Sequence, residues 1–262
     1  MGTSTSNNGQ NGKTPMVPTW LDENDDKENN DIPASADPDR FKKPRNNFTR
    51  YVNSGGRNSS NLHRATSQYV QQSLGGTKNA VTRLGAARSS TARLVSVLGS
   101  ISGQGIRETS KKFGLGDLIG KNASDVFLEI MDFVCPDGGR TDEGIARNSY
   151  IETIESMPEL SSILIENMTE NQFLIFTETY MSNVIQERLL NDIGNKTIFL
   201  PDDMNTVVII QEQLNDFIFG AVSDAMVHLN VEIKNIDSAQ TRVIVDTVYE
   251  KAYSILASME EV

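Results

Sequence analysis

From Thr77 onward the apolar residues of this chain recur at alternating spacings of three and four. That period matches one face of an α-helix and not a pleated strand, so it restricts the chain to helix-on-helix packing. The clearest stripe is Ala80, Leu84, Ala87, Thr91, Leu94, Leu98 and Ile101, which predicts one helix over about 77–98. Its residues are small, so a second helix can approach closely. Arg83, Arg88 and Arg93 scatter around its other sides and read as solvated flanks.

Further along, Val126, Phe127, Ile130, Met131 and Val134 form a second face, with Asn122 or Ser124 as N-cap and Cys135-Pro136-Asp137-Gly138-Gly139 as stop. Thr141 begins another helix that ends at Met157-Pro158. Thr169 caps a long helix to about Asp192, with two apolar rows: Phe173, Thr177, Tyr180, Val184 and Phe176, Met181, Ile185, Leu189. Thr197 to Leu200 reads as a short extended piece. A helix is expected over about 203–230; the β-branched run Val207-Val208-Ile209-Ile210 also suits a strand, but length favours helix. The last helix runs from about Asp237 through Val243, Ile244, Val248, Ala252, Ile255, Leu256 and Met259. The fold class is therefore mainly α: a disordered N-terminal tail followed by a helical, bundle-like domain.

The first third is different. Residues 1–75 are rich in Asn, Ser, Asp and Pro and poor in aliphatics, too poor to offset the entropy of ordering. Residues 1–39 are expected to be disordered, with Pro15, Pro18, Pro33 and Pro38 breaking regular structure. The expected organisation is a flexible tail over 1–75, a small-residue helix with a Gly-rich connector over 76–121, and a helical domain over 122–262. Charge divides along similar lines. Residues 1–121 carry 17 Lys+Arg against 10 Asp+Glu, and residues 122–262 carry 7 against 25. Within the tail an acidic run (Asp22, Glu23, Asp25, Asp26, Glu28, Asp31) precedes a basic stretch from Arg40 to Lys121. Such blocks suit partner contact; the basic part either folds back on the acidic half or offers a surface to an external partner.

Catalytic motifs find little support. Gly12-Lys13-Thr14 resembles the end of a phosphate-binding loop, but Asn7 stands where the first glycine belongs, and no strand precedes it. Gly114, Gly116 and Gly120 are spaced one residue too long for a dinucleotide fingerprint. His63 is expected in the flexible basic segment and His228 near a helix end. A Cys135–His228 nucleophile pair has nothing beyond residue type behind it. The single cysteine excludes an internal disulfide and a cysteine zinc cluster. No metal-ligand spacing is found, no cofactor is implied, and the chain is not expected to be an enzyme. No apolar stretch reaches the length of about 18 residues that spans a bilayer, and no secretory signal is present, so a cytoplasmic protein without membrane contact is expected. Phe41, Phe48, Tyr51, Tyr69 and Phe113 interleave with the basic residues. The alternative function is therefore a nucleic-acid-binding module over 40–121, gripping phosphates and stacking on bases.

The tail holds two further features. Pro15-Met16-Val17-Pro18-Thr19-Trp20-Leu21 is an apolar island with the only tryptophan. Trp20 has no local core to join, so it docks on the globular domain or anchors in a partner. Met1-Gly2-Thr3-Ser4-Thr5-Ser6 exposes Gly2 once Met1 is removed. The α-amine has a pKa near about 7.7–8.0, so part of it is neutral and nucleophilic. Lacking a Cβ, Gly2 can enter a narrow cleft. The same residues fit the myristoylation pattern.

The start Met1 to Ser6 with Pro15 to Trp20, the block Gly114-Leu115-Gly116-Asp117-Leu118-Ile119-Gly120, and the block from Cys135 to Arg147 resemble QatB proteins of the bacterial Qat anti-phage system. The resemblance implies three partners: a QueC-like enzyme, a P-loop ATPase and a TatD-like nuclease. It implies that the QueC-like partner uses the Gly2 amine in place of ammonia and attaches a deazaguanine there, which excludes myristoylation of the same amine. Gly2 is then the acceptor, and Thr3, Ser4, Thr5, Ser6, Pro15, Pro18 and Trp20 form the partner-binding tail.

Overall fold

The computed structural model describes residues 39–136, 138–194, 203–235 and 240–259. The expectations for the tail, including Gly2, Thr3 to Ser6, Pro15, Pro18 and Trp20, lie outside the described residues. So does the extended piece expected at Thr197 to Leu200.

The described residues are mainly helical. No strand occurs among them; one isolated antiparallel bridge joins Asn122 to Leu164. In chain order the helices are α1 (Lys42–Asn53), α2 (Ser59–Gln68), α3 (Thr77–Thr82), α4 (Ala86–Gln104), α5 (Ile106–Phe113), α6 (Ala123–Glu129), α7 (Met131–Val134), α8 (Thr141–Glu155), α9 (Glu170–Leu189), α10 (Met204–His228) and α11 (Thr241–Ser258). A π-turn, Tyr69–Ser73, continues α2, and another, Leu190–Gly194, continues α9.

Residues 40–75, expected to remain a flexible polar segment, form α1, α2 and the first π-turn. Their apolar residues are few but well placed. Phe48, Tyr51 and Val52 share one face of α1; Leu62, Ala65, Tyr69 and Val70 share one face of α2 and its extension; all are buried. Pro44 sits in the first turn of α1, where a missing N–H costs nothing. Asn58 caps α2 by accepting the Asn61 amide. The Tyr51 hydroxyl donates to Gln213 Oε1 on α10 at 3.1 Å. His63 is also placed: its ring stacks on Phe217 of α10, centroids 5.0 Å apart. The aliphatic deficit is thus met by partners on α10 and α11, not by the segment itself.

Helix α4 lies at the centre, in contact with α5, α7, α8, α9 and α11. All seven residues of its sequence stripe are buried. The stripe is not one helix, however: the chain breaks at Gly85, which adopts φ +52° between α3 and α4. Two of the flanking arginines are not solvated flanks. Arg88 grips Asp246 of α11 with both ends of its guanidinium, a planar fork that fixes the pair of helices in register. Arg93 donates to the Val134 carbonyl at 2.9 Å and so ties α4 to α7.

Both apolar rows of α9 are buried, and Thr169 caps it in a reciprocal capping box with Gln172. Val207 to Ile210 are helical, within α10, which Asp203 caps. Along α11 the buried positions include Val245, Val248, Tyr249, Ala252, Tyr253 and Leu256; Val243, expected in the core, is 66% exposed. The buried residues from Phe48 to Ala257 form one continuous cluster, so residues on both sides of positions 75 and 121 share a core.

Candidate functional site

The Gly-rich connector ends in a joint. Helix α5 stops at Gly114 in the left-handed conformation. The chain then runs to Leu118, fully buried, and Ile119, exposed. Next it pairs with the segment around Leu164. The Ala123 amide donates to Ile163 O at 2.8 Å, Ile165 N to Lys121 O at 3.1 Å, and Gly120 N to the Glu166 carboxylate at 2.7 Å. This short ladder leaves Ile119 and Leu164 exposed at its edges, with Leu128 exposed on the adjoining α6. Three large apolar side chains in water on linked segments make a candidate docking surface.

The second block, Cys135 to Arg147, is a set of helix-end clamps; Asp137 lies outside the described residues. Arg147 donates to the Cys135 carbonyl at 3.0 Å and pairs with Asp132 at 2.7 Å. The Asp142 carboxylate accepts the Ala86 amide at 2.7 Å. It thereby satisfies an orphan donor at the start of α4 and places negative charge at a positive helix end. At the start of α8 the Glu143 carboxylate accepts the Arg140 amide at 2.9 Å. These polar residues hold α4, α7 and α8 together.

Nucleophilic chemistry does not assemble here. Cys135 is buried, and its Sγ lies 3.4 Å from the Tyr180 hydroxyl and 3.6 Å from the Ala146 carbonyl. Burial pushes the thiol up from its usual range, away from the thiolate that reactive cysteines need. His228 is exposed and its Nδ1 lies 3.1 Å from the Asp224 carbonyl, one turn back in its own helix. Each group is engaged elsewhere. Among the described residues no group of three or more His, Cys, Asp or Glu is arranged to hold a metal ion.

The aromatic half of the nucleic-acid alternative is corrected. Phe48, Tyr51 and Tyr69 are at most 3% exposed and offer no face to a base. Phe113 packs against Phe133, centroids 5.5 Å apart. Phe41 lies beneath two guanidiniums, those of Arg40 and Arg45. Apolar side chains fold inward here because the segment has few others with which to join the core.

At the far end of α10 a groove of about 300 Å³ is lined by Leu229, Val231, Glu232, Val243, Ile244 and Thr247. Of these, Val243 is the most exposed apolar residue, at 66%. The sequence stripes could not show this surface, because Val243 fits the helical period and reads as core.

The comparison with known families bears on these blocks directly. The family model of the Qat anti-phage system associated protein QatB matches residues 75–256. The chain belongs to the QatB family. Neither a curated protein nor a solved structure matches it. The QatB match covers α3 to α10, nearly all of α11, and both clamped blocks. It leaves out α1 and α2, although these are buried in the same core. As a QatB family member the chain is a component of an anti-phage system. No helix among the described residues is long and apolar enough to cross a membrane.

Proposed function

We propose that this chain is a non-catalytic subunit of the Qat system, the substrate of a QueC-like partner that attaches a deazaguanine to the Gly2 amine. Membership of the QatB family is the observation that carries the reading. The engagement of Cys135, His63 and His228 in structural contacts supports a non-catalytic role. In the proposed step the neutral α-amine attacks the ATP-activated acyl carbon of the deazaguanine. A C–N bond forms, the activating group leaves, and the amine loses a proton to give an amide. Thr3, Ser4, Thr5 and Ser6 lie extended in the partner's cleft, and Pro15, Pro18 and Trp20 add an anchor. The helical domain docks the other subunits, a P-loop ATPase and a TatD-like nuclease, in the cytoplasm; the surface at Ile119, Leu128 and Leu164 is assigned to one of them.

The test is the intact mass of the protein, and of its N-terminal peptide, made with and without the QueC-like partner. The mass rises by one acyl-deazaguanine group only with the partner. Gly2→Glu, which hinders Met1 removal and crowds the amine, abolishes both the added mass and phage protection while the helical circular dichroism is unchanged. A free Gly2 amine in the co-expressed protein, with protection retained by Gly2→Glu, overturns the proposal.

A further inference from the structure

No acidic residue occurs between Asp39 and Glu108, a run that carries Arg40, Arg45 and Arg83. The fold brings these three arginines to the π-turn that ends α9, where Arg188 adds a fourth guanidinium. The facing acid is Asp192, and it is committed. Its Oδ2 accepts from the Tyr69 hydroxyl at 2.8 Å and from Arg188 Nε at 3.3 Å. Its backbone carbonyl accepts from Arg45 at 2.9 Å. Arg40 lies over the Phe41 ring at 4.9 Å, with Arg45 also over that ring at 5.5 Å.

Arg83 is left over. It is half-buried, and among the described residues no hydrogen bond or ion pair engages its guanidinium. Burial, and then the charges of Arg40 and Arg188, hold its pKa below the ordinary arginine value, and Asp192 and Tyr69 offset this only in part. A guanidinium does not give up its proton in a protein, so four fixed positive charges gather around the one carboxylate of Asp192. A second donor points the same way. The Tyr253 hydroxyl is buried without a hydrogen-bond partner among the described residues, within electrostatic reach of Arg188 and Asp192. Like charges gathered at the edge of a core are costly unless an anion joins them.

The chain itself enters the described structure at this place. The Arg40 carbonyl accepts from Ser73 Oγ at 2.7 Å, and Lys42 N donates to Asp39 O at 2.8 Å. Eight and more residues before Asp39 stand Asp22, Glu23, Asp25, Asp26, Glu28 and Asp31. Asp31 is nine residues from Arg40, so it reaches any point within about 30 Å. A short tether of this kind presents its carboxylates at an effective concentration on the order of millimolar. Carboxylates also match the planar fork of arginine in pairs of parallel hydrogen bonds.

We propose that Arg40, Arg45, Arg83 and Arg188 form a receptor for this chain's own acidic segment, residues 22–31, which folds back on the point where the chain enters the helical domain. The segment adds counter-charge to the single carboxylate of Asp192. Docking there fixes the base of the tail and carries Trp20 to the domain surface. Gly2, 20 residues beyond Asp22, retains a reach of about 60 Å. The proposal does not depend on whether Gly2 is modified.

Trp20 is the chain's only tryptophan and lies two residues from Asp22, so its fluorescence anisotropy in the full-length protein reports the docking. Three variants are compared with wild type at low salt: Arg83→Gln, Arg83→Lys, and the combined Asp22→Asn, Glu23→Gln, Asp25→Asn, Asp26→Asn. The combined variant leaves the helical domain untouched. Arg83→Gln and the combined variant both lower the anisotropy, Arg83→Lys retains most of it, and 1 M sodium chloride, with a screening length of about 3 Å, lowers wild type to the variants' level. An anisotropy indifferent to the four acidic residues places Trp20 by its apolar neighbours and overturns the proposal. So does an Arg83→Gln protein that keeps wild-type anisotropy but loses retention of a single-stranded oligonucleotide, which assigns the cluster to nucleic acid.

Discussion

Gly99 and Gly220 are the same residue in the same local geometry, and the fold gives them opposite roles. Each lies inside a helix, where glycine costs roughly 0.5–1 kcal/mol relative to alanine. At Gly220 on α10 an added Cβ meets nothing within 4 Å. At Gly99 on α4 it lands 2.7 Å from the carbonyl oxygen of Ile233, a backbone atom that cannot swing aside. Gly220→Ala therefore raises the melting temperature by about 2–4 °C, the shift that about 1 kcal/mol gives a domain of this size. Gly99→Ala lowers it, because pushing the Ile233–Asn235 turn off α4 costs about 1–3 kcal/mol and exceeds the helix gain. Thermal unfolding of the two variants followed at 222 nm decides the matter; equal and positive shifts show that the turn yields freely. In the block from Cys135 to Arg147, too, roles are set by distant partners. Asp142 earns its place through the Ala86 amide, and Arg147 through the Cys135 carbonyl.

Between elements, the α9–α10 contact carries an unusual polar seam. Glu178 is 5% exposed, and its carboxylate accepts a hydrogen bond from Ser223 Oγ at 3.4 Å. Nearby, Asn183 donates to Thr153 Oγ1 of α8 at 3.0 Å. Burial raises the Glu178 pKa, and the Ser223 hydrogen bond only partly offsets it. Glu152 and Glu187 are raised in the same direction, each first by burial. A carboxyl whose folded pKa lies above its unfolded value binds more protons in the folded state. Its contribution is then most favourable below the unfolded value, about 4.3, and declines as pH rises through the raised one. Glu178→Gln removes that decline. The variant melts above wild type at pH 7, and the difference vanishes near pH 4. A difference that is constant from pH 4 to pH 7 means the ionised carboxylate carries no penalty in the folded protein. The seam is illegible in sequence, where Glu178 reads as one more acidic residue on a helix surface.

Across the whole molecule, α4 is the element that most others share. Leu94 and Leu98 are fully buried, and α4 meets α8, α9 and α11 at once. Removing residues 1–121 deletes α4 with its stripe and exposes the faces of three helices together. A chain of residues 122–262 therefore lacks a cooperative thermal transition and loses the slow-exchanging amides of α9 and α11, although each keeps its helical period. A sharp melt and retained protection in that fragment contradict this. The QatB match, which begins at residue 75, includes α4 with the helices it meets.

What the sequence alone determined is local: the periods of α4, α9 and α10, the cap at Thr169, and the stops at Met157-Pro158 and Cys135-Pro136. These depend on residues within a turn or two of each other, so spacing reveals them. The tertiary structure decided what depends on distant partners. Residues 42–73 hold too few aliphatics to order themselves, yet they are helical because α10 and α11 supply the apolar surface that Tyr51, His63 and Tyr69 meet. Helix α5, read as part of a glycine-punctuated connector, forms because Gly105 and Gly114 bound it rather than interrupt it. The arginine cluster joins positions 40, 45 and 83 to 188 and 192. No window on the sequence spans that interval, and only the packing of α9 against the first helices sets the charges face to face.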